Sequence, residues 1–251
     1  MTVKLHAIRV GVVEMDRSVF LPATPKGVRI DAPGLVFVIQ HPQGNVVVDT
    51  GIDPQVYADP VTYWGGLARA LVPKGDEGDG LLPRLEEAGF SPDDVKLVVN
   101  THLHMDHAGC NRFLPRATFL VHRAEMEIAP EMEGNGYYRS DWDYPLSYRQ
   151  VDGETDLFDD GLVKLVPLPG HTPGSMGLVL KMSGGVVVLS GDSCPLADNL
   201  AGRIVARTDK DPENSLRSME WLAARQQEGA SVIFGHDNGQ WPVLPAEFTL
   251  S

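Results

Sequence analysis

Short apolar runs recur along the chain, and their length and β-branched composition are typical of buried strands. They predict strands at residues 3–13, 35–40, 45–49, 95–99, 117–121, 162–167, 177–181, 185–190 and 231–234. Gly184 and Gly185 lie between two neighbouring runs, which predicts a β-hairpin with a tight turn.

Helical periodicity is clear in two segments. Residues 79–88 place three leucines on one face and are followed by Gly89, which favours a helix end. A longer helix is predicted to begin after Asp211 as N-cap, with Pro212 in its first turn, and to run to Glu228. Three apolar residues form its predicted buried face: Leu216, Met219 and Leu222.

Two long segments, residues 53–78 and 130–150, fit neither pattern. Their aromatic content argues against disorder, and long irregular segments in a folded domain are commonly functional. The second segment holds most of the tyrosines: Tyr137, Tyr138, Tyr144 and Tyr148. Each segment could line a substrate cavity, form a homodimer contact, or simply hold a surface loop in place.

The composition is that of an ordinary globular protein, with 43% hydrophobic and 22% charged residues. A formal net charge of -13 argues against a nucleic-acid partner, because phosphate binding needs a basic surface. No run approaches the roughly 20 apolar residues that span a membrane, and the N-terminus lacks a signal-peptide pattern. The chain has only two cysteines, Cys110 and Cys194, so we expect a protein of the reducing cytoplasm. Its length is compatible with the single domain that we expect over residues 1–251.

Residues 101–107 hold three histidines and an aspartate immediately after the predicted strand 95–99. His102 and His104 are two positions apart, so in an extended chain both imidazoles leave the same face and can bind one ion. Asp106 and His107 follow in the turn and can serve a neighbouring ion. Imidazole and carboxylate ligands suit zinc, iron, manganese or cobalt. The cluster therefore predicts a metal site at a strand end.

Further candidate ligands follow three other predicted strands: His171, Asp192 and His236. Together with the cluster they make seven, whereas a catalytic zinc takes about three protein ligands, so the set predicts two divalent ions. A carboxylate can bridge two ions and an imidazole cannot, which nominates Asp192 as the bridge. Zn²⁺ is the expected metal, with iron, manganese and cobalt as alternatives.

Two ions about 3.5–4 Å apart activate a bridging water and polarise a carbonyl or phosphoryl oxygen, so hydrolysis is the expected reaction. Attack by a metal-bridging hydroxide is expected, with one ion stabilising the developing oxyanion. Asp106 is the candidate catalytic residue that carries a proton to the leaving oxygen.

The order of these motifs resembles the metallo-β-lactamase superfamily. The resemblance rests on HxHxDH at 102–107, VVDTG at 47–51, PGHTPG at 169–174, GD at 191–192 and GHD at 235–237. It implies an α/β fold, the αβ/βα four-layer sandwich, with the site at one edge of two packed sheets.

The resemblance also implies how the ligands divide between the ions. His102, His104 and His171 would hold one ion, Asp106, His107 and His236 the other, and Asp192 would bridge them. Asp49 would orient a ligand imidazole from behind, a role that metal sites commonly need.

Within the superfamily the chain is most similar to the quorum-quenching N-acyl homoserine lactonases, through four stretches: residues 32–54, residues 81–110, FLVHRAE at 119–125 and SVIFGHD at 231–237. One position departs from that group, which typically has a tyrosine three residues after the bridging aspartate, where this chain has Pro195. Either another hydroxyl polarises the lactone carbonyl or the substrate differs. The candidate replacements are Tyr137, Tyr138 and Tyr144.

The leading hypothesis is a dinuclear-metal hydrolase of lactones, above all N-acyl homoserine lactones, acting on a small-molecule substrate without nucleic acid or membrane. The alternative is a broader carboxylic-ester hydrolase of the same fold. An iron-dependent redox enzyme is a third reading, although the diiron relatives carry Glu where this chain has His104.

Overall fold

Two β-sheets frame the structure, a computed structural model that describes residues 3–240. The first sheet has seven strands in the order β4-β1-β2-β3-β5-β6-β7. Their bounds are β1 Lys4–Asp16, β2 Arg29–Gln40, β3 Val46–Val48, β4 Val72–Lys74, β5 Leu97–Val99, β6 Thr118–His122 and β7 Ser147–Val151. β1 and β2 form a long antiparallel pair, whereas β3, β5, β6 and β7 run parallel to one another.

The second sheet has five strands in the order β12-β11-β10-β9-β8. Their bounds are β8 Thr155–Asp156, β9 Val163–Pro167, β10 Met176–Met182, β11 Gly185–Leu189 and β12 Ser231–Ile233. The register pairs Met182 with Gly185, which confirms the predicted hairpin. β9 and β11 are both antiparallel to β10, and β12 is parallel to β11, so β9, β11 and β12 end at the same edge.

Between residues 3 and 240, seven α-helices connect and cover the strands: α1 Gln55–Ala58, α2 Pro60–Trp64, α3 Leu81–Glu87, α4 Arg123–Ile128, α5 Arg139–Trp142, α6 Ala197–Gly202 and α7 Pro212–Gln227. Short 3-10 helices occur at Arg17–Val19, Gly65–Arg69, Glu77–Asp79, Pro92–Asp94, Asn111–Phe113, Ala129–Met132 and Gly191–Ser193. Within the described residues, no helix is both long and apolar enough to cross a membrane.

The main core lies between the two sheets and combines inward side chains of both, such as Ile39 and Val48 from the first with Leu165 and Leu178 from the second. The outer face of the first sheet packs against α3, and the outer face of the second packs against α6 and α7. Each sheet thus buries apolar side chains on both faces, as a layered fold requires. This arrangement agrees with the predicted four-layer sandwich.

All nine predicted strands are present, but the bounds of the long pair differ. β1 continues to Asp16, and β2 begins at Arg29 and passes through Pro33. A register irregularity between Arg9 and Val12 accompanies this extension. Three short strands that the pattern did not predict, β4, β7 and β8, lie at sheet edges or pair over only two or three residues at an end.

One predicted core residue of α7 is wrong. Leu216 is 37% exposed, whereas Met219 and Leu222 are buried as expected. The buried face also includes the small residues Ser215, Ser218 and Ala223. The two serines pack against the turn after β9: Ser215 lies against Gly170, and the Ser218 hydroxyl donates to the Pro169 carbonyl at 2.7 Å. The predicted single domain of residues 1–251 includes ends that lie outside the described residues, and it stays a prediction.

Candidate metal centre

The loop after β5 carries the histidine cluster and is fixed from below by buried amides. Asn100 and Asn111 are fully buried and hydrogen-bond to each other, with Nδ2 of Asn111 donating to Oδ1 of Asn100 at 3.0 Å. Thr50 donates its hydroxyl to Oδ1 of Asn111 at 2.9 Å. The chain between residues 100 and 111 therefore closes into a loop with a fixed base, and its histidines point to the sheet edge.

Three histidines from two strand ends meet in a first ligand group. Nε2 of His102 lies 2.9 Å from Nδ1 of His104, and Nε2 of His171 lies 3.0 Å from the same atom. His102 and His171 are buried, and the rings are mutually near-perpendicular. Three imidazole nitrogens directed at one point are a suitable ligand set for a divalent ion.

Asp106, His107 and His236 meet in a second ligand group. Nε2 of His236 lies 3.7 Å from Oδ2 of Asp106, and Nε2 of His107 lies 3.9 Å from Oδ1 of the same carboxylate. Asp192 lies between the two groups. Its Oδ2 is 3.1 Å from His236 and 3.5 Å from His171, and its Oδ1 is 3.2 Å from His107. This is the position that a bridging carboxylate would occupy.

Most of these imidazoles are oriented from behind by an oxygen acceptor. Asp49 accepts from Nδ1 of His107 at 2.8 Å, and the Pro33 carbonyl accepts from Nδ1 of His236 at 3.0 Å. Asp209, which the sequence reasoning missed, lies 3.3 Å from Nδ1 of His171. Such contacts select the tautomer that leaves the other ring nitrogen free for an ion.

The electrostatics of the pair of groups suit cation binding. Burial and the nearby imidazoles hold the pKa of His102 and His104 well below the usual range, so both are neutral and ready to coordinate. Burial opposes protonation of His107, yet the charges of Asp192 and Asp106 outweigh it and raise its pKa. Burial would likewise raise the pKa of Asp192, but the charges of His236 and His107 hold it well below its usual range.

Buried polar atoms at the centre of the site provide a test of whether a metal fits. Nε2 of His107 and Oδ1 of Asp192 are buried and lie 3.2 Å apart, but neither atom makes a well-aligned hydrogen bond within the described residues. Unsatisfied buried groups are costly unless they have another partner. Among the described residues, no Lys or Arg forms an ion pair with the two carboxylates of the site. Five imidazoles and two carboxylates are a donor set for cations, so the residues present fit divalent ions.

A cavity of about 340 Å³ opens onto both ligand groups. Its apolar wall is formed by Val13, Met15, Val19, Phe20, Leu67, Leu71 and Met105. Polar residues also line the cavity, including Asn135, Thr208 and Lys210. Asp106 is 17% exposed at its side chain and lines the cavity, so it can meet both an ion and a substrate.

The structure gives the candidate tyrosines other partners. The Tyr137 hydroxyl donates to Oε1 of Glu125 at 2.7 Å, and the Tyr138 hydroxyl donates to the Trp64 carbonyl at 2.8 Å. Tyr144 lies beside the Arg112 guanidinium. None of the three is among the cavity-lining residues of the described chain. Their assignment as donors to a substrate carbonyl stays a prediction.

The two cysteines take no part in the candidate ligand groups. Both thiols are free and buried, and burial raises their pKa. Cys110 donates to the Ile52 carbonyl and Cys194 to the Leu196 carbonyl. His122 has a structural role as well, because it caps α4 by accepting from the Ala124 amide at 3.2 Å.

A family model described as the metallo-beta-lactamase superfamily matches residues 29–236, which include every candidate ligand. The chain belongs to the metallo-β-lactamase superfamily. The predicted family and fold class are therefore confirmed, as is the prediction that the protein is a hydrolase-type enzyme of this superfamily.

Curated members of the superfamily resemble the chain over most of its length. The N-acyl homoserine lactonase AttM of Azorhizobium caulinodans is 34% identical over 230 residues, 86% of each chain. The N-acyl homoserine lactonase AiiA of Bacillus thuringiensis subsp. kurstaki is 29% identical over 242 residues, 94% of each chain.

A solved superfamily structure superposes on the chain with a TM-score of 0.87 at 28% identity and covers 97% of both chains. It is an N-acyl homoserine lactone hydrolase with the product N-hexanoyl-L-homoserine bound at its catalytic metal centre.

Two buried carboxylates near the site, Glu125 and Asp209, were not predicted. Glu125 lies in the stretch FLVHRAE, yet within a sequence it looks like any acidic residue in the first turn of a helix. Asp209 lies in an irregular loop two residues before an N-cap. The partners of Glu125 are 12 to 47 residues away in the chain, and the partner of Asp209 is 38 residues away, so no local pattern could have identified them.

Proposed function

We propose that this protein hydrolyses N-acyl homoserine lactones by opening the ester bond of the lactone ring. The observation that carries the proposal is the convergence of seven ligand-type side chains at a cavity that both apolar and polar residues line. The apolar residues suit an acyl chain, and the few polar groups suit an amide and a lactone ring. The activities named for the AttM and AiiA relatives support the same substrate class.

The residues proposed to hold the ions follow the two groups. His102, His104 and His171 would hold one ion, Asp106, His107 and His236 would hold the other, and Asp192 would serve as the shared ligand. Zn²⁺ is the proposed metal because imidazoles dominate the set, while iron, manganese and cobalt accept the same ligands. The chemistry that such ions supply when bound is to activate water near neutral pH and to polarise a carbonyl oxygen.

The protein's own side chains then account for binding and proton transfer. The apolar wall around Phe20 and Met105 binds the acyl chain and excludes water from that side of the ester. Asp106 faces the cavity, accepts a proton from the attacking water and passes it to the ring oxygen as the ester bond breaks, so that the ring oxygen leaves as a hydroxyl group and not as an unstable alkoxide. Asp49 holds His107 in one tautomer and orientation during this step.

We also propose that the chain acts as a single domain in the cytoplasm. Both cysteines are unpaired, which suits a reducing compartment.

We further propose that the aromatic segment 53–78 forms a homodimer contact. Val61 is 65% exposed and Val72 is 39% exposed, so this segment presents apolar surface. Sedimentation of the wild type against Val61→Asp tests the dimer, and an unchanged monomer in both would exclude it.

A hydrolysis assay with a pH indicator tests the function. The metal-loaded protein is offered short- and long-chain homoserine lactones, plain γ-lactones, aryl esters and a β-lactam. We expect turnover of the acyl homoserine lactones, loss of turnover after chelation, and recovery when Zn²⁺ is added back. Brisk cleavage of aryl esters without any lactone turnover would instead identify a broader carboxylic-ester hydrolase.

A further inference from the structure

We propose that Glu125 is a positioning residue that holds the three histidines of the first ligand group in place without contacting an ion itself. The proposal rests on the proposed function, because it takes His102, His104 and His171 to be metal ligands. It assigns Glu125 a role that its position in the sequence does not indicate.

Glu125 is completely buried and accepts three hydrogen bonds at the base of the site. Oε1 accepts from the Leu103 amide at 2.9 Å and from the Tyr137 hydroxyl at 2.7 Å. Oε2 accepts from the Thr172 hydroxyl at 2.6 Å. These donors come from three separate segments of the chain, and the carboxylate joins them at one point.

Each donor is directly linked to a member of the first ligand group. Leu103 lies between His102 and His104 in the chain, and Thr172 follows His171. Tyr137 packs its ring edge-on against His104, with centroids 4.5 Å apart and planes at 69°. Movement of the Glu125 carboxylate would therefore be transmitted to all three imidazoles.

The backbone around these contacts has little room to adjust. Gly174, in the same turn as His171, lies so close to α4 that any side chain there would collide with the backbone of Glu125. Gly136 adopts a φ of 90°, and a side chain there would press on the ring of His104. The two glycines permit the close packing that brings Glu125 and the histidine turns together.

The charge of Glu125 is not explained by an ion pair. Its hydrogen-bond partners in the described chain are an amide and two hydroxyls, all neutral, and no Lys or Arg contacts it. A buried carboxylate without a cation is costly, and an apolar residue would fill the same core position at a lower cost. A carboxyl group behind the three imidazoles of the first ligand group favours a bound cation, which gives this position a reason to be acidic.

The second ligand group has its own supports, Asp49 and the Pro33 carbonyl, and none of its members contacts Glu125. A defect at Glu125 should therefore weaken ion binding at the first ligand group and leave ion binding at the second group unchanged. A general loss of packing would weaken ion binding at both groups.

The test compares metal binding by the wild type, Glu125→Gln and Glu125→Ala after removal of bound metal. Co²⁺ is titrated in, and stoichiometry and affinity are followed by calorimetry and by the Co²⁺ absorption spectrum. His104→Ala and His236→Ala provide reference spectra for loss of the first and the second ion. Glu127→Ala, two residues further along the same helix and on its exposed side, is the matched control.

We expect Glu125→Ala to lower the affinity for one ion by roughly 10–100-fold, which is the usual effect of removing a group that orients metal ligands. Its spectrum should resemble that of His104→Ala, and Glu127→Ala should match the wild type. Glu125→Gln keeps an acceptor for Leu103 and Tyr137 but not the charge, so its loss should be smaller and of the same kind. If Glu125→Ala fails to fold, the metal binding of Glu125→Gln tests the proposal on its own.

Unchanged binding of both ions by Glu125→Gln and Glu125→Ala would overturn the proposal, as would equal weakening of both ions. If the wild type bound no Co²⁺, or if His104→Ala bound Co²⁺ as the wild type does, the proposed metal centre itself would be refuted.

Discussion

Asp49 accepts a hydrogen bond from Nδ1 of His107 at 2.8 Å while its own backbone adopts the left-handed conformation, with φ at 59°. The same carboxylate also accepts from the amide and the hydroxyl of Thr101, at 2.7 and 2.8 Å. Non-glycine residues adopt this backbone conformation rarely and at a cost. The strain is balanced by three hydrogen bonds that fix the first residue after β3 against the histidine loop.

Asp49→Asn should weaken metal binding at the second ligand group by roughly 10–100-fold. Asparagine tolerates the left-handed conformation, so the change removes charge and one acceptor without new backbone strain. The amide would place a donor against at least one of the three donors that now meet the carboxylate. Chelator competition with Zn²⁺ measures the loss, and wild-type affinity in this variant would contradict the orienting role of Asp49.

Asp209→Asn should have a similar but smaller effect on the first ligand group. The contact between Asp209 and Nδ1 of His171 is 3.3 Å, longer than that between Asp49 and His107, so the carboxylate stabilises the imidazole less. We expect about a 10-fold loss of affinity for one ion. Glu213→Gln, an exposed carboxylate at the start of α7, is the control that should bind both ions normally. Equal affinity in Asp209→Asn and the control would remove Asp209 from the site.

The ligands could be predicted from the sequence because each lies in a short local pattern at the end of a strand. His102, His171, Asp192 and His236 each follow an apolar run within a few residues, and strand ends that share an edge bring them together. Glu125 and Asp209 could not be predicted in this way. Their meaning depends on partners far along the chain, and an acidic residue at a helix start or in a loop is ordinary without them.

Contacts between distant segments also explain where the predicted strand and core differ from the structure. Pro33 and Gly34 are residue types that usually interrupt a strand, yet β2 passes through them because β1 changes register opposite this point. The Pro33 carbonyl is then used by His236. Leu216 fits the helical period, but the face that α7 buries is set by its contact with the turn after β9. Small residues such as Ser215, which lies against Gly170, occupy that contact.

Phenylalanine substitutions separate the roles of the three candidate tyrosines. Because the Tyr138 hydroxyl is bonded to Trp64 and Tyr144 lies beside Arg112, we expect Tyr138→Phe and Tyr144→Phe to keep lactone kcat within about twofold. Tyr137→Phe should raise the metal concentration needed for full activity, because it removes one donor to Glu125. A large fall in kcat at saturating metal for any one of them would identify that hydroxyl as a donor to the substrate.

Asp141 provides a test of stability that does not involve the metal centre. It is buried in α5, and burial together with the charge of Asp53 raises its pKa from 3.8 to about 8. Between about pH 4 and pH 8 the folded protein holds a proton that the unfolded chain has lost, so this group lowers stability as pH rises through that window.

Asp141→Asn should therefore stabilise the protein near pH 7, because the amide resembles the neutral carboxyl group that the fold favours. We expect a gain of at least about 1 kcal/mol, or about 2–4 °C in Tm for a protein of this size. The gain should shrink towards pH 4, where both states of the wild type are protonated. Thermal melts of the metal-free protein at several pH values measure it. Asp143→Asn, an exposed neighbour paired with Arg139, is the control that should show no such pH dependence. A destabilised or pH-independent Asp141→Asn would mean that the carboxylate is ionised in the folded protein.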